Sequence, residues 1–166
     1  MVGQSNTGHV SIYICPNCFA PNYFDDNGVQ APGPPAGASL EALPDLVARV
    51  YDEARRVMTV RGEHAAAMLC RKLLMHVAVE KGAKKDQNFE FYVTYLVDEG
   101  FIPKASQDYA KHIKNLGNEA THQIRDFTRT EAEEMIAFLE MLCRSCYEYP
   151  AKLKAKAPAT AVTTKP

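Results

Sequence analysis

Glu63-His-Ala-Ala-Ala-Met-Leu-Cys-Arg-Lys-Leu-Leu-Met-His-Val-Ala-Val-Glu80 is the stretch whose reading decides the fold. Ala65, Ala66, Met68, Leu69, Leu73, Leu74 and Val77 recur at helical rather than alternating spacing, which predicts a helix over 63–80 with Gly82 as its stop. The run of alanines lets a neighbouring helix approach closely, so this segment reads as the middle of a helical bundle. Upstream, Leu43, Leu46, Val47, Val50, Tyr51, Ala54, Val57 and Met58 line one face of a first helix that starts at Pro44 and breaks at Gly62. Downstream, Asn88 to Glu99 carries Phe91, Tyr92, Tyr95 and Leu96 on a third helix ended by Gly100. Ser106 serves as N-cap for a fourth, with Tyr109, Ile113 and Leu116. Thr130-Glu-Ala-Glu133 reads as a capping box opening a fifth helix that Pro150 ends. The connections are short, which favours antiparallel neighbours. The expected fold class is all-α, a five-helix bundle over 43–150.

The flanks are of a different kind. His9-Val-Ser-Ile-Tyr-Ile-Cys15 alternates β-branched and aromatic residues and predicts a strand; Phe19 to Phe24 predicts its return, with Pro21 confining it to an edge. Residues 1–24 therefore form a small β-hairpin. Residues 25–42 are rich in Gly, Pro and Ala without periodicity and read as a linker. The stretch 151–166 holds four lysines and no acidic residue among Ala, Thr and Pro, the composition of a disordered tail.

The totals bound the function. A chain of 166 residues with 46% hydrophobic and 23% charged residues has the composition of one globular domain with appendages. Its net charge of −1 gives no global attraction to nucleic acid or anionic lipid, so RNA or DNA binding would need a local patch. No apolar run approaches the roughly 20 residues of a membrane span, and the start lacks a basic region followed by an apolar one. Both point to the cytoplasm, where thiols stay reduced. The five cysteines are then metal ligands, core residues or redox thiols.

Cys15-Pro-Asn-Cys18 sits at the turn of the hairpin, where two thiolates can take adjacent corners of a zinc tetrahedron. A redox pair is the other reading, although such pairs usually sit where a strand feeds a helix. Cys143-Arg-Ser-Cys146 repeats the spacing inside the fifth helix. Residues three apart share a helix face, so this pair can complete a four-cysteine zinc site. It also continues the apolar stripe of Ile136 and Leu139, and buried cysteine behaves as a small hydrophobe. Cys70, on the alanine-rich helix, reads as core. His9 is a further candidate ligand or a surface histidine.

The densest group of chemically able side chains is Lys111 to Arg125, where His112 and His122 flank Gly117-Asn118-Glu119-Ala120-Thr121, with Lys114 before it and Arg125 after. In structural terms, Gly117 ends a helix or permits close packing, Asn118 caps, and His122 is a satisfied buried histidine. In chemical terms, His122 is an acid-base group with Asn118 beside it and Lys114, Arg71 or Arg125 as the cation. Arg71 is equally readable as a surface salt-bridge former.

Tyr51-x-x-Ala54, Ala65-Ala-Ala-Met-Leu-x-Arg71-Lys-Leu-Leu74, Gly100-Phe-Ile-Pro103, Gly117-Asn-Glu-Ala-Thr-His122 and Tyr149-Pro150, in this order, resemble the bacterial family called domain of unknown function 4145. The N-terminal knuckle resembles the half zinc ribbon that often precedes that domain, without the second upstream cysteine pair that completes it. That family is similar to the HEPN group of helical bundles, many of which are dimeric, metal-independent ribonucleases, toxins or phage-defence components. Their motif is an arginine, a polar residue, a spacer and a histidine. The resemblance places the polar residue on Asn118 and the histidine on His122, but the arginine position falls on Gly117. Glycine cannot stabilise charge on a phosphate. The resemblance thus implies an HEPN-like, zinc-stabilised binding or assembly module, homodimeric through a helical face and working around nucleic acids in bacterial or phage biology. A ribonuclease using His122 is the alternative. A regulator that sequesters a protein partner is a third reading.

Overall fold

The computed structural model describes residues 11–16, 19–122 and 127–156. A small antiparallel sheet of order β1-β2-β3 precedes the helices: β1 (Ser11–Ile14), β2 (Pro21–Phe24) and β3 (Gln30–Ala31). Tyr13 pairs with Asn22 and Ile14 with Pro21, so Ile12, Ile14, Pro21 and Tyr23 share one face and Tyr13 and Phe24 the other. The Tyr13 and Phe24 rings meet edge to face at 5.5 Å. The third strand lies in the stretch expected to be a linker. Asp25 Oδ1 accepts from the backbone N–H groups of Asn27 and Val29, closing the β2–β3 turn.

The rest of that stretch is docked on the bundle. Arg55 donates to the carbonyls of Ala36 (2.8 Å) and Gly37 (3.1 Å), the Tyr51 hydroxyl donates to Ala38 O, and Glu140 Oε2 accepts from Ala38 N–H, both at 2.9 Å. Gly37 has φ +64 and lies where a Cβ would stand 2.9 Å from Ile136 Cγ2, so glycine is required there. Residues 36–38 are thus held by two helices rather than spanning open solvent.

α1 (Asp45–Val57) follows Pro44 and places Asp45 in its first turn and Arg55 and Arg56 in its last, matching the helix dipole. It buries Val47, Tyr51 and Ala54. A single 3₁₀ turn over 58–60 leads to left-handed Arg61 and to Gly62, where a Cβ would meet Val57 O at 2.8 Å. α2 (Glu63–Glu80) packs against α1, α3, α4 and α5. Contact on several sides explains its composition. Ala66, Ala67, Cys70, Leu73, Leu74, Val77 and Ala78 are buried, while Ala65 and Met68, expected on the core face, are exposed.

α3 (Phe89–Asp98) is capped by Asn88, whose side chain accepts from Phe91 N–H at 2.8 Å. A 3₁₀ turn over 104–106 precedes α4 (Gln107–His122), and Ser106 belongs to that turn rather than to a side-chain cap. α4 does not end at Gly117 but runs through it. α5 (Arg129–Cys143) opens with a capping box formed by Thr128 and Glu131, two residues before the Thr130/Glu133 pair that the sequence favours.

Pro150 does not stop the last helix. A π-turn over 144–148 carries α5 into α6 (Tyr149–Lys156), which contains Pro150 and the first six residues of the expected tail. Proline has no N–H for Cys146 O four residues back, and Lys81 Nζ donates to that carbonyl instead, at 3.3 Å. Residues 157–166 lie outside the described residues. No helix among the described residues is long and apolar enough to cross a membrane.

Candidate functional site

The packing of α3 on α4 explains the glycine at position 117. A Cβ there would fall 2.3 Å from Phe89 Cε1, deep inside contact distance. Phe89 is buried at the first position of α3, so the ring cannot swing away, and a side chain at 117 has no space.

A guanidinium reaches this segment from another helix. Arg71 on α2 lies over the Phe89 ring, 4.3 Å from its centroid. Its Nη1 donates to Gly117 O at 2.8 Å and to Asn118 Oδ1 at 3.2 Å. Burial lowers its pKa from the ordinary arginine value, yet an arginine remains charged throughout the physiological range. Charge-assisted bonds together with a ring beneath the cation hold the group in one orientation. Arg71, Gly117, Asn118 and Phe89 therefore form one cluster joining α2, α3 and α4.

The other polar side chains of this stretch are engaged elsewhere. Lys114 Nζ pairs with Glu90 Oε1 on α3 at 2.9 Å. His112 meets Glu134 on α5 at 2.8 Å, and Tyr109 donates to the Glu134 carbonyl at 2.9 Å. Arg129 pairs with Glu133 at 2.7 Å. His122 is the last residue of α4; its side chain, like all of Arg125, lies outside the described residues.

The cysteine pairs differ in surroundings. Cys15 is half-buried at the end of β1, where its N–H donates to Ala20 O (2.9 Å) and its carbonyl accepts from Phe19 N–H (2.8 Å). Phe19 takes a left-handed φ of 57, which closes the turn. Such a turn suits a two-thiolate knuckle, but Cys18, like His9, lies outside the described residues. Cys143 and Cys146 are buried in the bundle with Cys70. Burial pushes the Cys70 and Cys143 thiols up to about 12 and Cys146 to about 11. Neighbouring Cys143 adds to the shift at Cys70, and Cys146 and Glu80 add to that at Cys143. In these surroundings the three thiols pack as small hydrophobes within the bundle. Among the described residues, no group of three or more His, Cys, Asp or Glu side chains is placed to hold a metal. Of the Cys15/Cys18 knuckle, only Cys15 is among the described residues.

A second polar cluster had no signal in the sequence. Glu148, 3% exposed within the π-turn, accepts from Arg144 Nη1 at 3.1 Å and from Lys152. Arg144 also reaches Glu140 Oε1 at 2.9 Å, linking this cluster to the docked segment at Ala38. The bond from Lys152, aided by Arg144, holds the Glu148 carboxyl below its ordinary value.

Comparison with curated proteins and with solved structures returned no match. The family described as a domain of unknown function, DUF4145, matches residues 52–160, a span that takes in α1 from its middle, the Arg71–Asn118 cluster and the π-turn. The chain belongs to the DUF4145 family.

Proposed function

We propose that this chain is a non-catalytic, HEPN-like binding and assembly module, working as a homodimer in a nucleic-acid-related or defence setting in bacteria or phage. The observation that carries the reading is the engagement of Arg71. Its guanidinium is spent on Gly117 O, Asn118 Oδ1 and the Phe89 ring, while Lys114 is spent on Glu90. A phosphate-stabilising cation must instead face the space where charge develops. The motif in this chain acts as a clamp between three helices.

The knuckle at Cys15 and Cys18 is proposed to carry zinc, which would fix the hairpin turn. Cys143 and Cys146 are assigned to the core. One observation favours the ribonuclease alternative: Arg71 stands beside Asn118, so a cation is near the motif despite Gly117. Incubating purified protein with single-stranded RNA and a chelator, beside His122→Ala, separates the two. The module reading requires the wild type and the variant to behave alike.

A further inference from the structure

The N-terminal sheet carries large apolar side chains that the bundle does not cover. Among the described residues, six of the thirteen exposed large hydrophobic side chains lie on it: Ile12, Tyr13, Ile14, Phe19, Tyr23 and Val29. The other seven are spread over several helices. Its three strands have at most four residues each, and β1 exposes large apolar side chains on both faces, Ile12 and Ile14 on one and Tyr13 on the other, so further packing would stabilise it.

The two edges of this sheet differ. Beyond β3 the chain continues through Pro32, Pro34 and Pro35, which cannot donate to a new strand. Ser11-Ile-Tyr-Ile14 has no proline, charge or bulge to blunt it, and among the described residues no strand lies on its outer side. Cys15 N–H donates to Ala20 O across the hairpin, so the alternation of an antiparallel ladder turns Ser11 and Tyr13 toward β2 as well. The N–H and C=O groups of Ile12 and Ile14 therefore face outward, away from β2.

We propose that two copies of this chain join through their β1 edges, antiparallel about a two-fold axis at Tyr13, into a continuous six-stranded sheet. The proposal rests on the assembly reading above and gives it a surface, the strand edge rather than a helical face. The register follows from the pleat. Directly opposed residues share a face, so a two-fold axis perpendicular to the sheet must pass between a residue and its own copy. Centring on Tyr13 opposes Ile12 to Ile14 of the other copy, and both present outward groups, which gives four backbone hydrogen bonds from described residues. It also brings the apolar faces of both copies, with Ile12, Ile14 and Tyr23, to the same side.

The area available matches a weak dimer. Ile12, Tyr13 and Ile14 are 60–62% exposed and Phe19 is 77% exposed. Side chains of this size with the bared edge offer roughly 500 Å² per copy, about 1,000 Å² for the pair, at the lower bound for a specific interface. A dissociation constant on the order of micromolar is expected for such a contact. The two Cys15 residues stand four positions apart along the ladder, about 13 Å, so the two knuckles do not share one metal.

The test is light scattering on the full chain across roughly 1–100 µM, with Ile14→Pro and two cysteine variants. Proline at 14 removes an outward donor but no bond to β2, so it should weaken the dimer at least about tenfold while thermal unfolding of the bundle stays unchanged. Under mild oxidation Tyr13→Cys should give a covalent dimer, located by peptide mapping, because opposed non-hydrogen-bonded residues have Cα atoms about 4.5 Å apart. Ile12→Cys should not link to its own copy, which lies about 8 Å away diagonally. A wild type that is monomeric throughout overturns both this proposal and the assembly reading. A dimer indifferent to Ile14→Pro, or one in which Ile12→Cys links and Tyr13→Cys does not, overturns the β1 pairing and leaves assembly through another face.

Discussion

Phe89 and Gly117 determine one another: the ring of the first fills the space that any side chain on the second would need, with a hypothetical Cβ 2.3 Å from Cε1. Gly117→Ala would gain about 1 kcal/mol of helix propensity and lose about 1–3 kcal/mol to overpacking, for a net destabilisation. Gly117→Arg should be worse. Urea unfolding measures both. A Gly117→Ala protein more stable than the wild type would show that the ring yields, and the packing account of this glycine would fail.

Arg71 ties α2 to α4 through Gly117 O and Asn118 Oδ1 while lying on Phe89. Arg71→Met should cost about 1–3 kcal/mol, since it leaves a part-buried amide oxygen without its charged donor. Arg71→Lys should recover little, because an ammonium cannot reproduce the planar fork or lie flat on the ring. Equal stability of Arg71→Lys and the wild type would contradict the clamp.

How much of this was legible in the sequence varied with the range of the interaction. α1, α2 and α3 followed from apolar spacing, and Gly62 and Gly100 marked real breaks, because these signals are local. β3 has two residues, too few for alternation to register. The capping box was ambiguous because Thr128-x-x-Glu131 and Thr130-x-x-Glu133 carry the same pattern, and only the backbone distinguishes them. Pro150 reads as a stop because the sequence cannot show a π-turn or a lysine just past the end of α2 serving the orphaned carbonyl. At the candidate site, the sequence points to Asn118 and Arg71 separately. Their union through Phe89 was hidden because it joins residues 46 and 47 positions apart. The alanine content of α2 did announce close approach, yet not that four helices would share it.

The thiols offer a direct chemical check. With Cys70 and Cys143 at about 12 and Cys146 at about 11, none is appreciably ionised near neutral pH. Brief iodoacetamide treatment of folded protein should leave all three unmodified, and denaturant should expose them together. Metal analysis under reducing conditions extends the check: Cys15→Ser should abolish bound zinc, and Cys143→Ser should leave it unchanged. Loss of metal in Cys143→Ser would restore the four-cysteine site.

Acid should loosen the docked segment. Burial alone would raise the Glu140 carboxyl, but bonds from Ala38 N–H and Arg144 outweigh it and lower the pKa below the ordinary 4.5. A carboxylate depressed in the folded state adds stability that is present above its unfolded pKa and is lost as pH falls through the folded value. Stability should therefore be flat above about pH 5 and decline below about pH 4.5, and Glu140→Gln should flatten that decline. A Glu140→Gln protein with an unaltered acid limb would remove Glu140 from the account.

The central claim is that the Arg71–Asn118 cluster holds helices together and performs no chemistry. It is tested most directly by end-labelled single-stranded RNA with the protein in molar excess, in a chelator, sampled over hours so that a single turnover is visible. Wild type, His122→Ala and Arg71→Ala should show the same background, with Arg71→Ala distinguished only by lower stability. Cleavage by the wild type that disappears in both variants would contradict the account and establish a ribonuclease whose arginine is supplied by α2.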